Sequence, residues 1–261
     1  MATEQPYPLP RERTLIIGVL LALAAAAWAV VIWQSLTLRD DAMGMHANAL
    51  TMGMAAPLFL AIWVAMMVAM MFPAAAPMIL TFSAVQRGKQ QRGQSLVPTW
   101  LFVGSYLVVW ALAGVLAYAL AVAAEHLAGR SPWLMAHAAR IGGGVLVVAG
   151  LYQLSPLKQL CLGRCRTPLQ FVLGSWRDGH RGAVRMGVEH GLFCLGCCWL
   201  LFAILLPLGV MNIAIMAAIT LLIFVEKSLP IGVLVGRVAA AALIGYGVLV
   251  IVAPHLLPTM M

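Results

Sequence analysis

Three of the chain's five cysteines and a histidine fall in one short run, HGLFCLGCCWLLF, at residues 190–202. A helix advances about 100° per residue, so His190, Cys194, Cys197 and Cys198 lie within an arc of about 100°. One helix face then offers an imidazole and three sulfurs. A lone cysteine in an apolar helix behaves as a small hydrophobe. Gly191 and Gly196 also suit close helix packing without any metal. Four donors on one stripe ask for more than packing, and the spacing H-x3-C-x2-C-C predicts a ligand face. The other two cysteines, Cys161 and Cys165, stand upstream in QLCLGRCR.

Methionine supplies a second set of soft donors, 16 residues in all. Met43, Met45, His46, Met52 and Met54 lie in DDAMGMHANALTMGM. Met66, Met67, Met70 and Met71 lie in WVAMMVAMMFP, where the i, i+4 pairs cover one broad helix face. Pro73 and Pro77 then interrupt the helix, an irregularity tolerated in a membrane where it is buried or lines a cavity. Methionine is also a flexible apolar filler. Thiolate and thioether together select Cu(I), whereas zinc has little use for methionine and magnesium and calcium want oxygen. The predicted metal ligands are His190, Cys194, Cys197, Cys198, Cys161, Cys165, Met66, Met67, Met70, Met71, Met43, Met45 and His46, with Cu(I) as the metal.

These residues need elements to hold them. The chain has 261 residues, 63% hydrophobic and 9% charged, with a mean hydropathy of +0.98. Soluble domains are about half apolar and a quarter charged, so this is an integral membrane protein. A span takes about 20 apolar residues. Seven are predicted, at residues 15–36, 57–83, 98–124, 138–154, 188–208, 212–224 and 233–253. The sixth is short, and PLGVMN joins it to the fifth as a tight helical hairpin. The fold expected is an all-α polytopic bundle, with a tail at residues 1–13 and one transmembrane domain at 14–261. The start resembles a signal peptide, but the apolar run to Ile32 favours a retained anchor.

Thirteen of the 16 Lys and Arg residues fall on one side of these spans, against Arg39, Arg130 and Arg140 on the other. The positive-inside rule makes the basic side cytoplasmic, with the N-terminus inside. The net charge of +8 then reflects topology and anionic lipid, not nucleic acid. Cys161 and Cys165 are expected at the cytoplasmic surface, and the residue 190–198 donors in the inner half of the fifth span. All five thiols would face the reducing side, where a structural disulfide is disfavoured. In the basic loop at residues 155–187, Leu169, Val172, Leu173 and Trp176 recur at i, i+3, i+4, i+7 and predict a short interfacial helix ending near Arg177. Glu189 and Glu226 read as interfacial charges. Lys227, adjacent to Glu226, would face another way.

The runs WVAMMVAMMFP, YQLSPLKQLCLGRCRTP, EHGLFCLGCCWLL with GVMN, and VEKSLP closely resemble a bacterial family of predicted metal-binding integral membrane proteins (domain of unknown function 2182), some of whose members are labelled copper chaperone. The resemblance spans about residues 63–245. It implies a helical membrane protein tied to metal, with Met66, Met67, Met70, Met71, Pro73, Cys161, Cys165, His190, Cys194, Cys197, Cys198 and Glu226 at motif positions.

The expected function is copper handling in a bacterial inner membrane: binding Cu(I) and passing it across, or to a copper-dependent membrane enzyme or copper carrier. No G-x-x-x-x-G-K-[ST] motif occurs, so neither nucleotide nor nucleic acid is an expected partner, and a carrier is expected rather than an enzyme. Two alternatives stand beside it: a membrane thiol–disulfide oxidoreductase using Cys194 and Cys197, and a structural assembly subunit. A copper relay requires a sulfur of Met66, Met67, Met70 or Met71 within roughly 8 Å of one from Cys194, Cys197 or Cys198.

Overall fold

A computed structural model describes residues 10–41, 50–51, 53–93 and 97–256. Among these the chain is all-α: α1 (Pro10–Asp41), α2 (Ala56–Gln91), α3 (Thr99–Arg130), α4 (Pro132–Gln153), α5 (Pro156–Arg166), α6 (Pro168–Gly174), α7 (Gly179–Ala203), α8 (Leu205–Leu208), α9 (Ile213–Ser228) and α10 (Gly232–Val252). Six stretches are long and apolar enough to cross a membrane: Arg11–Thr37, Ala56–Gln91, Thr99–Arg130, Pro132–Gln153, Gly179–Leu208 and Gly232–Val252. The expected sixth span is α9, whose 16 residues rise about 24 Å, short of a hydrocarbon core of about 30 Å. Leu112, Leu116 and Leu120 on α3 stand exposed along one side, an apolar stripe suited to lipid.

The helices alternate in direction. Trp28 of α1 meets Ala69 of α2, and Glu12 pairs with Arg87. Phe82 stacks on Phe102 and Phe59 packs on Tyr118, so α2 runs against α3. Helix α3 runs alongside α7 in the same sense. A Cβ at Gly187 would lie 2.4 Å from the Phe102 carbonyl, and one at Gly191 2.9 Å from Val109. This small-xxx-small spacing lets the two backbones approach closely. Gly143 and Gly150 of α4 seat Gly247 and Ala240 of α10 in the same manner. The hairpin at residues 207–212 is as expected. Gly209 takes φ 96°, and the Asn212 side chain accepts from Ile215 N at 3.2 Å to cap α9.

Pro73 does not break α2. Lacking an N–H, it leaves the Ala69 carbonyl unpaired in the helix, and the Trp28 indole donates to that carbonyl at 3.1 Å. The basic residues gather at one end of the bundle. There Lys89 pairs with Asp178 and Trp176 donates to the same carboxylate. The Lys89 bond, with help from Trp176, holds the Asp178 carboxyl below its ordinary range. At the opposite end Thr51 donates to Glu125 through its backbone at 2.7 Å.

The segment between α4 and α7 differs from expectation. It folds as two short helices, α5 and α6, which pack into the bundle rather than one lying along the interface. The predicted apolar stripe splits: Val172 is fully buried while Leu169 and Leu173 are exposed, and Trp176 lies beyond the end of α6. Phe171, outside the predicted stripe, takes the core position instead. Cys165 is accordingly buried, not at a surface. Helix α7 also begins at Gly179, nine residues before the predicted start. Cys194 therefore lies midway along the Gly179–Leu208 stretch, not near one end.

Candidate metal centre

The three cysteines of α7 face inward as their spacing requires, and Cys194, Cys197 and Cys198 are all buried. The Cys197 thiol donates to the Cys194 carbonyl at 3.1 Å, and its sulfur lies 3.3 Å from that of Cys198. Helix α5 adds a fourth thiol, since Cys165 interacts with those of Cys194 and Cys197. Cys194 is the centre of the group. Its sulfur is 3.8 Å from Met71 Sδ on α2, 3.2 Å from the Tyr106 hydroxyl on α3 and 2.9 Å from Lys227 Nζ on α9. Five helices thus converge on one sulfur cluster.

Met66, Met67, Met70 and Met71 are all buried, so the methionine face of α2 points into the bundle and not to lipid. The Met71–Cys194 contact is well inside the 8 Å that a relay requires. Cys161 is brought elsewhere. Its sulfur occupies the space that a Cβ on Gly196 would need, at 2.8 Å, close to Tyr152, which donates to the Gly196 carbonyl. Met43, Met45, His46 and Met52 lie outside the described residues. Met54 is buried, with its sulfur 4.0 Å from Gln34 Nε2.

His190 sits one turn before Cys194 in an aromatic box. Phe102, Tyr106 and Phe171 surround its ring at centroid distances of 5.9, 5.4 and 5.7 Å. It is buried, and neither ring nitrogen has a hydrogen-bond partner. Buried polar atoms are nearly always satisfied. Two unsatisfied nitrogens beside a thiol cluster are donors held in reserve.

A second polar group lies next to the first. Glu226 is buried, and not an interfacial charge. It accepts from Lys158 Nζ at 2.7 Å and from Gln153 Nε2 at 2.9 Å, and Lys158 also bonds to Gln153. A Cβ on Gly236 would lie 2.7 Å from Glu226 Oε1. Glu189 does behave as an interfacial charge, pairing with Arg185 at 3.0 Å. Sequence reasoning missed Lys227, Tyr106, Lys158 and Gln153. Lys227 carried a signal, a charge at the end of an apolar helix, whereas Tyr106 carried none.

A family model described as copper chaperone, PpoB2, matches residues 60–250. The chain belongs to this copper-chaperone family. The resemblance read from the sequence is therefore correct, and the protein's role is copper-related. No curated protein and no solved structure matches the chain significantly. The PpoB2 match covers the whole thiol cluster, Met71 and Lys227, and stops short of Met43, Met45 and His46.

The donors of this PpoB2 member fit copper in kind. Thiol, thioether and imidazole are the soft and borderline ligands that Cu(I) prefers. Among the described residues no three His, Cys, Asp or Glu side chains are grouped as a metal's ligands would be. That arrangement suits a cation content with few ligands better than a tetrahedral zinc site.

Proposed function

We propose that the protein is a membrane carrier of Cu(I), which binds its cargo at Cys194 and Cys197 and exchanges it with the methionine sulfurs of α2. The observation that carries this reading is the 3.8 Å contact between Cys194 Sγ and Met71 Sδ, made between two helices far apart in sequence. His190, with both ring nitrogens unpartnered, and Cys165 are the further donors within the same group. Cys198 adjoins Cys197. Met66, Met67 and Met70 extend the thioether face along α2, and Met43, Met45 and His46 are proposed as an entry or exit station at the other end. A helix of about 20 residues rises about 30 Å, so stepwise exchange between sulfurs is needed to cover that length.

The carrier performs no covalent chemistry on its cargo. It uses no nucleotide, and it passes copper across a bacterial inner membrane or to a copper-dependent membrane enzyme or carrier. Thiol–disulfide exchange is the weaker reading, because it requires in-line access to a sulfur. Cys194, Cys197 and Cys198 are at most 1% exposed.

Anaerobic titration of the detergent-purified chain tests the reading. The wild type is expected to bind Cu(I) near-stoichiometrically, and Cys194→Ser with Cys197→Ser to lose most of it. Unchanged binding in the double variant overturns the assignment.

A further inference from the structure

Buried charge at the centre is unbalanced. Among the described residues the buried ionisable acid and base side chains, histidine apart, are Lys158, Glu226 and Lys227. Lys158 and Glu226 neutralise one another at 2.7 Å. Lys227 has no carboxylate. Its Nζ points at Cys194 Sγ from 2.9 Å, so one positive charge faces the thiol cluster. A charge in a low-dielectric interior is stable only when it is paired.

We infer that Lys227 is the residue that sets the valence of the bound metal, making the centre selective for a monovalent soft cation over a divalent one. The inference rests on the copper-carrier reading. With two thiolates and one ammonium, a monovalent cation gives a neutral site, whereas a divalent cation leaves one uncompensated positive charge. A third thiolate would neutralise the divalent ion, but no three such ligands are grouped here. The Met71 thioether adds a bond and no charge. Lys227 therefore acts through the thiolates as a positioning and selectivity residue and not as a ligand.

The substitution Lys227→Met removes the charge and keeps most of the volume. Two thiolates alone then neutralise a divalent cation, so the preference should invert. The experiment is competition between Ag(I), a redox-inert monovalent probe, and Zn(II) on the full chain in detergent, repeated with Cu(I) held by a chelator of known affinity. Lys227→Met should weaken monovalent binding about a hundredfold while Zn(II) binding strengthens. Lys227→Arg should restore the wild-type order. A purely structural role would weaken both metals together, and that outcome overturns the inference.

Should Lys227→Met fail to fold, the wild type alone decides the matter: displacement of Ag(I) by equimolar Zn(II) overturns the inference. Cys194→Ser with Cys197→Ser separates the two claims. If that variant loses copper while Lys227→Met keeps the wild-type preference, only the role of Lys227 fails. If it retains copper, the carrier site itself is wrong.

Discussion

Glu226 and Lys227 are neighbours in the chain and serve two different sites. Glu226 reaches Lys158 and Gln153 near the junction of α4 and α5, while Lys227 reaches Cys194 on α7. Successive side chains on a helix diverge by about 100°, and the last turn of α9 uses that divergence to separate an ion pair from a thiol cluster.

The ion pair should therefore be separable from copper by mutation. Glu226→Gln leaves Lys158 buried without its counter-charge and is expected to cost about 3–5 kcal/mol. Replacing both, Lys158→Met with Glu226→Gln, should cost less than the single change. Thermal unfolding in detergent measures both. Cu(I) affinity per folded molecule should stay near the wild-type value.

The Trp28 indole and Pro73 should show coupling. Trp28→Phe removes the bond to the Ala69 carbonyl, at a cost of about 1 kcal/mol. In a Pro73→Ala background, residue 73 regains an N–H that can bond the same carbonyl. Trp28→Phe should then cost less, by about 0.5 kcal/mol or more. A double-mutant cycle with strictly additive effects would count against this account of the proline.

Close approach of α3 and α7 makes a contrast between two glycines. At Gly187 a Cβ would meet Ser105 Oγ at 2.0 Å and the Phe102 carbonyl at 2.4 Å, whereas at Gly104 nothing lies within 4 Å. Gly187→Ala should destabilise by about 1–3 kcal/mol and draw Tyr106 away from Cys194. Gly104→Ala should be neutral or stabilising by up to about 1 kcal/mol. Equal effects would remove close packing as the reason for Gly187.

The thiols should sort by reactivity. Cys161 is half-buried while the other four are buried, so a maleimide should modify Cys161 first and the rest only on unfolding. With the basic end inside, an impermeant maleimide should reach Cys161 only after cells are opened. Labelling in intact cells would reverse the orientation.

Much of this was legible in the sequence, because helix periodicity and hydropathy are local. The inward stripe of His190, Cys194, Cys197 and Cys198 follows from spacing, as do the long apolar helices and the hairpin at Gly209. The residues missed were those whose role depends on a distant partner. Tyr106 reads as one aromatic among many until α3 meets α7. Lys158 looks like one more charge of a basic loop until α5 carries it inward. The loop itself was misread because its length and charge suggested a surface, whereas Phe171 and Val172 give it an apolar side that the bundle buries.

That inward fold of α5 and α6 has a kinetic meaning. Cys165 and the Phe171 wall of the His190 box belong to a segment that had to dock after the long helices formed its seat. Anything reaching the sulfurs from the basic end must wait for that segment to lift, and small docked elements open far more often than whole domains unfold. Traffic through this end would thus keep the tempo of a local opening. The amide hydrogens of α5 and α6, exchanging with solvent at the same tempo, would be its clock.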